Sequence, residues 1–350
     1  MLETPLTIRP LRLVELLDAA FRLYRRNFLT FVGIMALMQI PVSLLSLFSS
    51  VVLTQSLAQM YGPGGVFSPQ YFIGMGGSFL VAILSFFLVS GFATAALTRT
   101  IAASFLGRQA GVLESYRNLG SLLGNLLLSL LLAGLFSLGL WIWMLIPCIG
   151  WFSGVGMWLY FTLVIIQLLI PIVVLEKLRP IDALRRAWEL ARRRFWWLLG
   201  LIGVLFLLNM VLAGPAMLVN YVLQIVVHTT SGAVLSPTIS VVIQSLVNVL
   251  VVLVFRPLEL SVIVLTYFDL RVRSEGFDLA MQSIDVTAYP DPVDSIAAAP
   301  AAPKQTSLIT GMEFGYFVAA SLGGALLIAL VYGLAVAFGI GTAGLFSRGF

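Results

Sequence analysis

Apolar residues run through this chain in seven long blocks, and polar residues collect in short segments between them. The blocks fall at roughly 28–53, 77–106, 119–146, 153–175, 195–227, 238–268 and 315–340. About 20 helical residues cross a hydrocarbon core, so each block predicts a transmembrane helix. Several blocks are longer and must tilt, kink or project into water. Pro41, Pro147, Pro171, Pro215 and Pro257 lie inside them or near their ends. Proline within a membrane helix frees a carbonyl that a neighbour has to satisfy. The pattern predicts an all-α, polytopic membrane helix bundle.

A second pattern repeats. Arg25-Arg26-Asn27-Phe28 precedes the first block, and Arg192-Arg193-Arg194-Phe195 precedes the fifth. Shifted by 167 residues, Leu17, Phe21, Tyr24, Phe28 and Gly33 fall on Leu184, Trp188, Ala191, Phe195 and Gly200. Glu114-Ser115-Tyr116-Arg117-Asn118-Leu119 is a weaker version before the third block. The first six blocks therefore form three hairpins, about 9–107, 108–178 and 179–273, each led by a polar segment. Helical spacing puts Val14, Leu17, Phe21 and Tyr24 on one face of segment 9–26, with Arg12, Glu15, Asp18, Arg22 and Arg26 turned away. Segment 181–194 repeats this with Leu184, Trp188 and Ala191. Both predict amphipathic helices lying on the bilayer surface. They serve as anchors, or their basic residues Arg22, Arg25, Arg26, Arg185, Arg186, Arg192, Arg193 and Arg194 dock anionic lipid headgroups or a partner. Each such cation is worth about 1 kcal/mol near an anionic leaflet.

Charge assigns the sides. Arg9, Arg12, Arg22, Arg25 and Arg26, then Arg99, Arg108 and Arg117, then Lys177, Arg179 and the arginines up to Arg194, then Arg271 and Arg273 all fall in alternate connections. Loops 54–76, 147–152 and 228–237 hold no Lys or Arg. By the positive-inside rule the N-terminus is cytoplasmic and the C-terminus, after seven spans, is outside. The chain is 60% hydrophobic and 10% charged, against about a quarter charged in soluble domains. The net charge of +5 sits beside apolar blocks, which argues for a membrane surface and against nucleic acid.

Three regions follow. Residues 1–280 form the six-span domain. Residues 281–313 contain Asp291-Pro292, Pro300, Pro303 and many alanines, and predict a flexible cytoplasmic linker. Residues 314–350 carry the seventh helix and a short outer tail. Ser321, Ala325, Ala329, Gly333 and Ala337 recur every four residues on that helix. Such a small-residue stripe lets another helix approach closely, either the chain's own body or another membrane subunit.

The candidate chemistry is sparse. Arg256 and Glu259 lie inside the sixth block, three residues apart and astride Pro257. Arg256 stands 12 residues before Phe268, about 18 Å along a helix, and is near mid-bilayer if Phe268 marks the boundary. A charge there is costly unless paired, so the two are read as an ion pair locking the bundle or as a substrate, headgroup or ion site. Arg99 is a further candidate partner for Glu259. Gln39, Gln167, Asn209, Asn220, Gln244 and Asn248 are expected to bond between helices, and Gln39 with Pro41 and Gln167 with Pro171 are candidate broken-helix sites. The glycine-rich stretch from Gly62 to Gly77 lacks the Lys-Ser/Thr of a phosphate loop and reads as a flexible outer loop. His228 and Cys148 are single, so neither a histidine cluster nor an intramolecular disulfide can be built, and no cofactor or metal is expected. No catalytic set can be assembled.

The stretch Arg9-Pro10-Leu11, then Glu15-Leu16-Leu17-Asp18-Ala19-Ala20-Phe21-Arg22-Leu23-Tyr24-Arg25-Arg26-Asn27-Phe28, resembles the start of a bacterial membrane-protein family named after the membrane domain of glycerophosphoryl diester phosphodiesterases. Tyr267-Phe268-Asp269-Leu270-Arg271-Val272-Arg273-Ser274-Glu275-Gly276-Phe277-Asp278-Leu279 resembles its cytoplasmic end. The resemblance covers about 9–280. It implies a bacterial inner-membrane protein without the separate barrel that carries hydrolysis in the fused enzymes. The expectation is a non-enzymatic scaffold or accessory subunit of a larger membrane assembly. The alternative is a transporter or lipid-handling protein using Arg256 and Glu259.

Overall fold

The computed structural model describes residues 9–59, 69–108, 111–117, 119–229, 237–284, 289, 291–299 and 310–337. Six of its helical segments are long and apolar enough to cross a bilayer: Phe28–Gln55, Tyr71–Phe105, Leu123–Met144, Gly150–Glu176, Phe195–Pro215 and Ile239–Glu275. The chain is an all-α polytopic membrane bundle.

The first leader is α1 (Leu13–Arg26). Its start is fixed by Arg12 in extended conformation, whose N–H donates to the Glu15 carboxylate at 3.0 Å. Glu15 in the first turn and Arg25 and Arg26 in the last complement the helix dipole. Asn27 ends it, its side-chain amide donating to Leu23 O at 3.1 Å. The packed face is Leu16, Ala19, Ala20, Leu23 and Tyr24, not the expected Val14–Leu17–Phe21–Tyr24 face. Val14 and Phe21 are exposed. The helix has three sectors: one packed, one apolar and open, one polar. The apolar stripe is wider than a single buried face, so periodicity alone could not say which part packs.

Then come α2 (Phe28–Gln59) and α3 (Pro69–Leu84), a π-helical stretch Ser85–Ala93, and α4 (Thr94–Phe105). Gly74 to Gly77, expected in an outer loop, are helical. They form the close seam between α2 and α3: a Cβ on Gly74 would stand 3.0 Å from Leu53 Cα, and Ser49 hydrogen-bonds the Ser78 hydroxyl at 2.9 Å. Residues 60–68, the rest of that stretch, lie outside the described residues. Thr94 caps the end of the π stretch, donating to Val89 O and Ser90 O at 2.8 and 2.6 Å.

The middle leader is the short α5 (Val112–Arg117), followed by α6 (Leu123–Met144) and a turn in which Cys148 takes φ 64°. The chain returns through Gly150–Gly154, α7 (Val155–Tyr160), a second π stretch Phe161–Ile165 and α8 (Ile166–Glu176). Lys177, left-handed at φ 53°, ends it. The last leader, α9 (Pro180–Arg192), starts with proline at its first position and Asp182 in the first turn. α10 (Phe195–Thr229) and α11 (Pro237–Glu275) complete the third hairpin, and α12 (Phe277–Ser283) follows left-handed Gly276.

Burial is uneven along these helices. α4 except Ser104, residues 168–175 of α8 and residues 260–272 of α11 are buried on all sides. The other ends, where α2, α6, α10 and the first half of α11 show Phe48, Trp141, Leu218 and Leu246 on the surface, splay apart. The core therefore sits toward the arginine-rich end, and the apolar exposed halves present a lipid-facing surface.

Residues 291–299 are not a free tether. Val293, Ser295 and Ile296 are buried, in a short 3₁₀ turn (Pro292–Asp294) and α13 (Ser295–Ala298) packed on α8. Residues 285–288, 290 and 300–309 lie outside the described residues. The last helix, α14 (Gly311–Ala337), packs on its own body rather than standing apart. Gly156 N–H donates to Ser321 Oγ at 2.6 Å, and Phe317 stacks with Trp188 at 5.9 Å. Glu313 pairs with Arg192 at its foot. Of the small-residue stripe, Ser321 is buried while Ala325 and Ala329 are exposed. Gly333 and Ala337 are helical, their surroundings outside the description, and the expected outer tail after 337 is also outside it.

Gly156 is what permits this contact. A Cβ there would collide with Phe317 O and Ser321 Oγ. Gly156→Ile should cost about 1–3 kcal/mol through overpacking and push α14 away. A Cβ on Gly324 would stand 3.8 Å from the Leu159 side chain, so in a Cys148→Ser background a short thiol-reactive crosslinker should join Leu159→Cys to Gly324→Cys, and the crosslink should be lost when Gly156→Ile is added.

Candidate functional site

A cleft of about 620 Å³ opens between α7–α8, α10, α11 and α14. Its walls are mostly apolar, with Leu159, Leu163, Ile202, Phe206, Val252 and Phe255 among them. Four polar side chains enter it: Gln167, Asn209, Arg256 and Glu259. Arg256 Nη1 donates to Glu259 Oε2 at 2.9 Å. The two side chains keep 36% and 17% of their surface, so the pair is neither sealed nor free. Small residues make the room. Gly203, Ala319, Ala320 and Gly323 line the cleft, and a Cβ on Gly203 or Gly323 would meet nothing within 4 Å.

Pro257 sets how Arg256 and Glu259 stand. It lies inside α11 and cannot supply the N–H that would satisfy the carbonyl four residues back. Beside this break, Tyr24 donates its hydroxyl to Val254 O at 2.8 Å. At the other end of α1, Leu11 N–H donates to Asp269 Oδ1 at 2.8 Å. So α1 runs antiparallel along 254–269 of α11. Its exposed Arg22, Arg25 and Arg26 stand near the level of Val254. Exposed guanidinium groups need water or headgroups. The pair thus stands on the side of the bundle that carries the arginines of α1. The stretch 237–255 before it is 19 residues, about 28 Å, which matches a hydrocarbon core.

Arg99 does not partner Glu259. Its Nη2 donates to Asp291 Oδ2 at 2.8 Å and Asp294 Oδ1 at 3.0 Å. Arg108 reaches Asp291 at 3.3 Å, and Lys177 reaches Asp294 at 3.1 Å. Asp291 and Asp294 thus clip segment 291–299 onto three cations. Sequence reading missed them because two acids in an Ala/Pro-rich stretch look like linker. The signal was Val293 and Ile296 three apart beside them.

The basic leaders divide. Arg22, Arg25, Arg26, Arg185 and Arg193 are exposed. Arg193 also donates to Ser274 O at 3.1 Å. Arg186 is buried instead. It donates through Nε to Glu176 at 3.0 Å and pairs with Glu275. Burial would lower its pKa, but Glu275 and Glu176 outweigh this and hold it above the ordinary arginine value. Arg192 is committed to Glu313. Arg194 reaches Asp269 at 3.3 Å and lies 4.4 Å over the Trp197 ring. A helical wheel gave Arg186 no reason to turn inward; the reason is two carboxylates on other segments.

The centre of this network is Arg271, 1% exposed. Its Nε donates to Glu275 Oε2 at 3.1 Å, and its Nη1 to Tyr267 Oη at 3.1 Å and Ile296 O at 3.2 Å. Nη2 reaches Ala299 O at 3.4 Å, and the guanidinium lies 4.3 Å over the Phe277 ring. Tyr267 donates to Glu176 Oε1 at 2.9 Å. Asp269 is a second hub: Arg273 Nε donates to it at 2.9 Å, while Arg273 Nη2 donates to Leu11 O at 2.7 Å. The stretch before α1 and the end of α11 are therefore joined in space.

Of the other polar candidates, Gln39 donates to Ser43 at 2.9 Å within its own helix. Gln244 and Asn248 are exposed, with no hydrogen bond to any described residue. Asn220 and His228 are helical, their side chains outside the description. Among the described residues no group of three His, Cys, Asp or Glu is placed to hold a metal. Comparison with family models, with curated proteins and with solved structures returned no match.

Removing one member of the Arg271 network leaves the others charged and buried. Arg271→Met should cost about 3–5 kcal/mol, read as the shift in a denaturant titration of the detergent-solubilised protein. The acidic clip should respond to pH. Burial raises the Asp291 carboxyl, but Arg99 and the Val293 N–H outweigh it and hold the pKa below 3.8. A depressed folded pKa stabilises above the unfolded value, so the clip holds fully above about pH 4 and loosens as pH falls through the folded value. A spin label at Ala298→Cys, in the Cys148→Ser background, should sharpen only in that acid range.

Proposed function

We propose that this integral membrane protein binds an amphiphile, a membrane lipid, in the cleft lined by Arg256 and Glu259. The observation that carries this is a paired, part-exposed charge at the wall of an otherwise apolar opening, near the level where headgroups lie. The volume falls within the range of about 300–1,000 Å³ usual for small-ligand sites. Gln167 and Asn209 add donors and acceptors to the same cavity. The role is binding rather than catalysis: the buried carboxylates Glu176, Asp269 and Glu275 are held by arginines. By the positive-inside rule the arginine-rich end faces the cytoplasm, where exposed Arg22, Arg25, Arg26 and Arg185 meet an anionic inner leaflet. The family resemblance supports a bacterial inner membrane.

A second reading, an accessory subunit of a larger assembly, is favoured by Gln244 and Asn248. These amides are four residues apart on one exposed face of α11. In lipid they gain by bonding to another helix. Exposed Ala325 and Ala329 on α14 would allow close approach there.

Gly203→Leu tests the first reading, because Gly203 lines the cleft and a Cβ there meets nothing within 4 Å. Lipid co-purified with the variant should fall several-fold while its thermal midpoint stays at the wild-type value. Unchanged lipid content would sink the reading.

A further inference from the structure

The charges in the cleft restrict which lipid fits. Arg256 and Glu259 are the charged residues of its lining, one of each sign, so the site is neutral when empty. Arg256 spends Nη1 on Glu259 Oε2, and neither residue has another polar partner among the described residues. Nε and Nη2 of Arg256 and Oε1 of Glu259 remain to be used. An anionic headgroup brought to Arg256 would face the Glu259 carboxylate close by, in a medium that screens poorly. A cationic headgroup meets the mirror problem at Arg256. Either leaves a net charge buried in an apolar surround, which is the costly outcome.

A zwitterion avoids both. A phosphate accepts from the free edge of the Arg256 guanidinium, whose planar fork suits it. An ammonium a few bonds away donates to Glu259 Oε1. Arg256 and Glu259 need not part, and the site stays neutral. A primary ammonium has N–H groups to donate; a quaternary one offers charge alone.

On the reading that the cleft holds a lipid, we infer that its ligand is a zwitterionic phospholipid with a primary amine, of the phosphatidylethanolamine class. The phosphate sits on Arg256, the ammonium on Glu259, and acyl chain lies against the apolar walls.

The test uses the full chain in detergent, titrated with phosphatidylethanolamine, its mono-, di- and trimethylated forms, and phosphatidylglycerol, with bound lipid counted by native mass spectrometry. Phosphatidylethanolamine should bind roughly tenfold tighter than phosphatidylglycerol or phosphatidylcholine. Affinity should fall with each added methyl, and Glu259→Gln should erase the preference over phosphatidylglycerol. Soluble glycerophosphoethanolamine should compete poorly; competition at equal concentration would overturn a lipid as the source of the headgroup. Equal binding of all the lipids, abolished by Gly203→Leu, would overturn the headgroup assignment and leave the cleft reading standing. Binding untouched by Gly203→Leu would overturn both. The methylation series on the wild-type protein decides the matter even if Glu259→Gln does not fold.

Discussion

Arg271 holds together segments that share no continuous helix. Its partners come from the end of the second hairpin (Glu176), the same helix (Tyr267, Glu275) and the segment beyond the sixth span (Ile296, Ala299). Arg186 joins from the last leader. Two arginines and two glutamates close the charge balance in a region with almost no exposed surface. Such a cluster is costly to desolvate, and its value is in fixing geometry as much as in net stability. Once it is formed, α8, α9 and α11 have one relative arrangement, and the walls of the cleft above it are set.

Membrane helices gain nothing from hiding apolar surface from lipid, so shape and polar bonding must hold the splayed half. Here shape is supplied by small residues. Gly74 lets α3 reach the backbone of α2, and Gly156 lets α14 reach α7. Gly203 and Gly323 face a gap instead. The same residue type therefore closes two seams and opens one cavity. The difference is whether a partner backbone occupies the space.

The helices and their approximate limits were legible in the sequence because length and apolarity decide them. Phe28 and Phe195 stand at the expected block starts, whereas α11 runs seven residues past the expected end at 268, to Glu275. The pairing of Arg256 with Glu259 was legible too, being a matter of spacing on one helix. What was not legible depended on distant partners. Arg99 meets Asp291, 192 residues away, rather than Glu259. Arg186 turns inward toward Glu176 and Glu275. The packed face of α1 is set by α11, which follows more than two hundred residues later. Gln167 and Asn209 could be marked as polar residues in apolar spans, but only the fold brings them to the same cleft as Arg256.

The hold of Asp269 and Arg273 on Leu11 has a consequence for assembly. The bonds join residues 258 and 262 positions apart. During synthesis α1 emerges well before its partner strip on α11, which belongs to the last of the six spans. Until then α1 has a wide apolar stripe and lacks its main partner, with only narrow contacts to α2 and α4 available. The bilayer surface is the available resting place, and a basic, amphipathic helix is suited to wait there. Docking of α1 along α11 then marks the chain as complete through residue 273, a closing step that a truncated product cannot take.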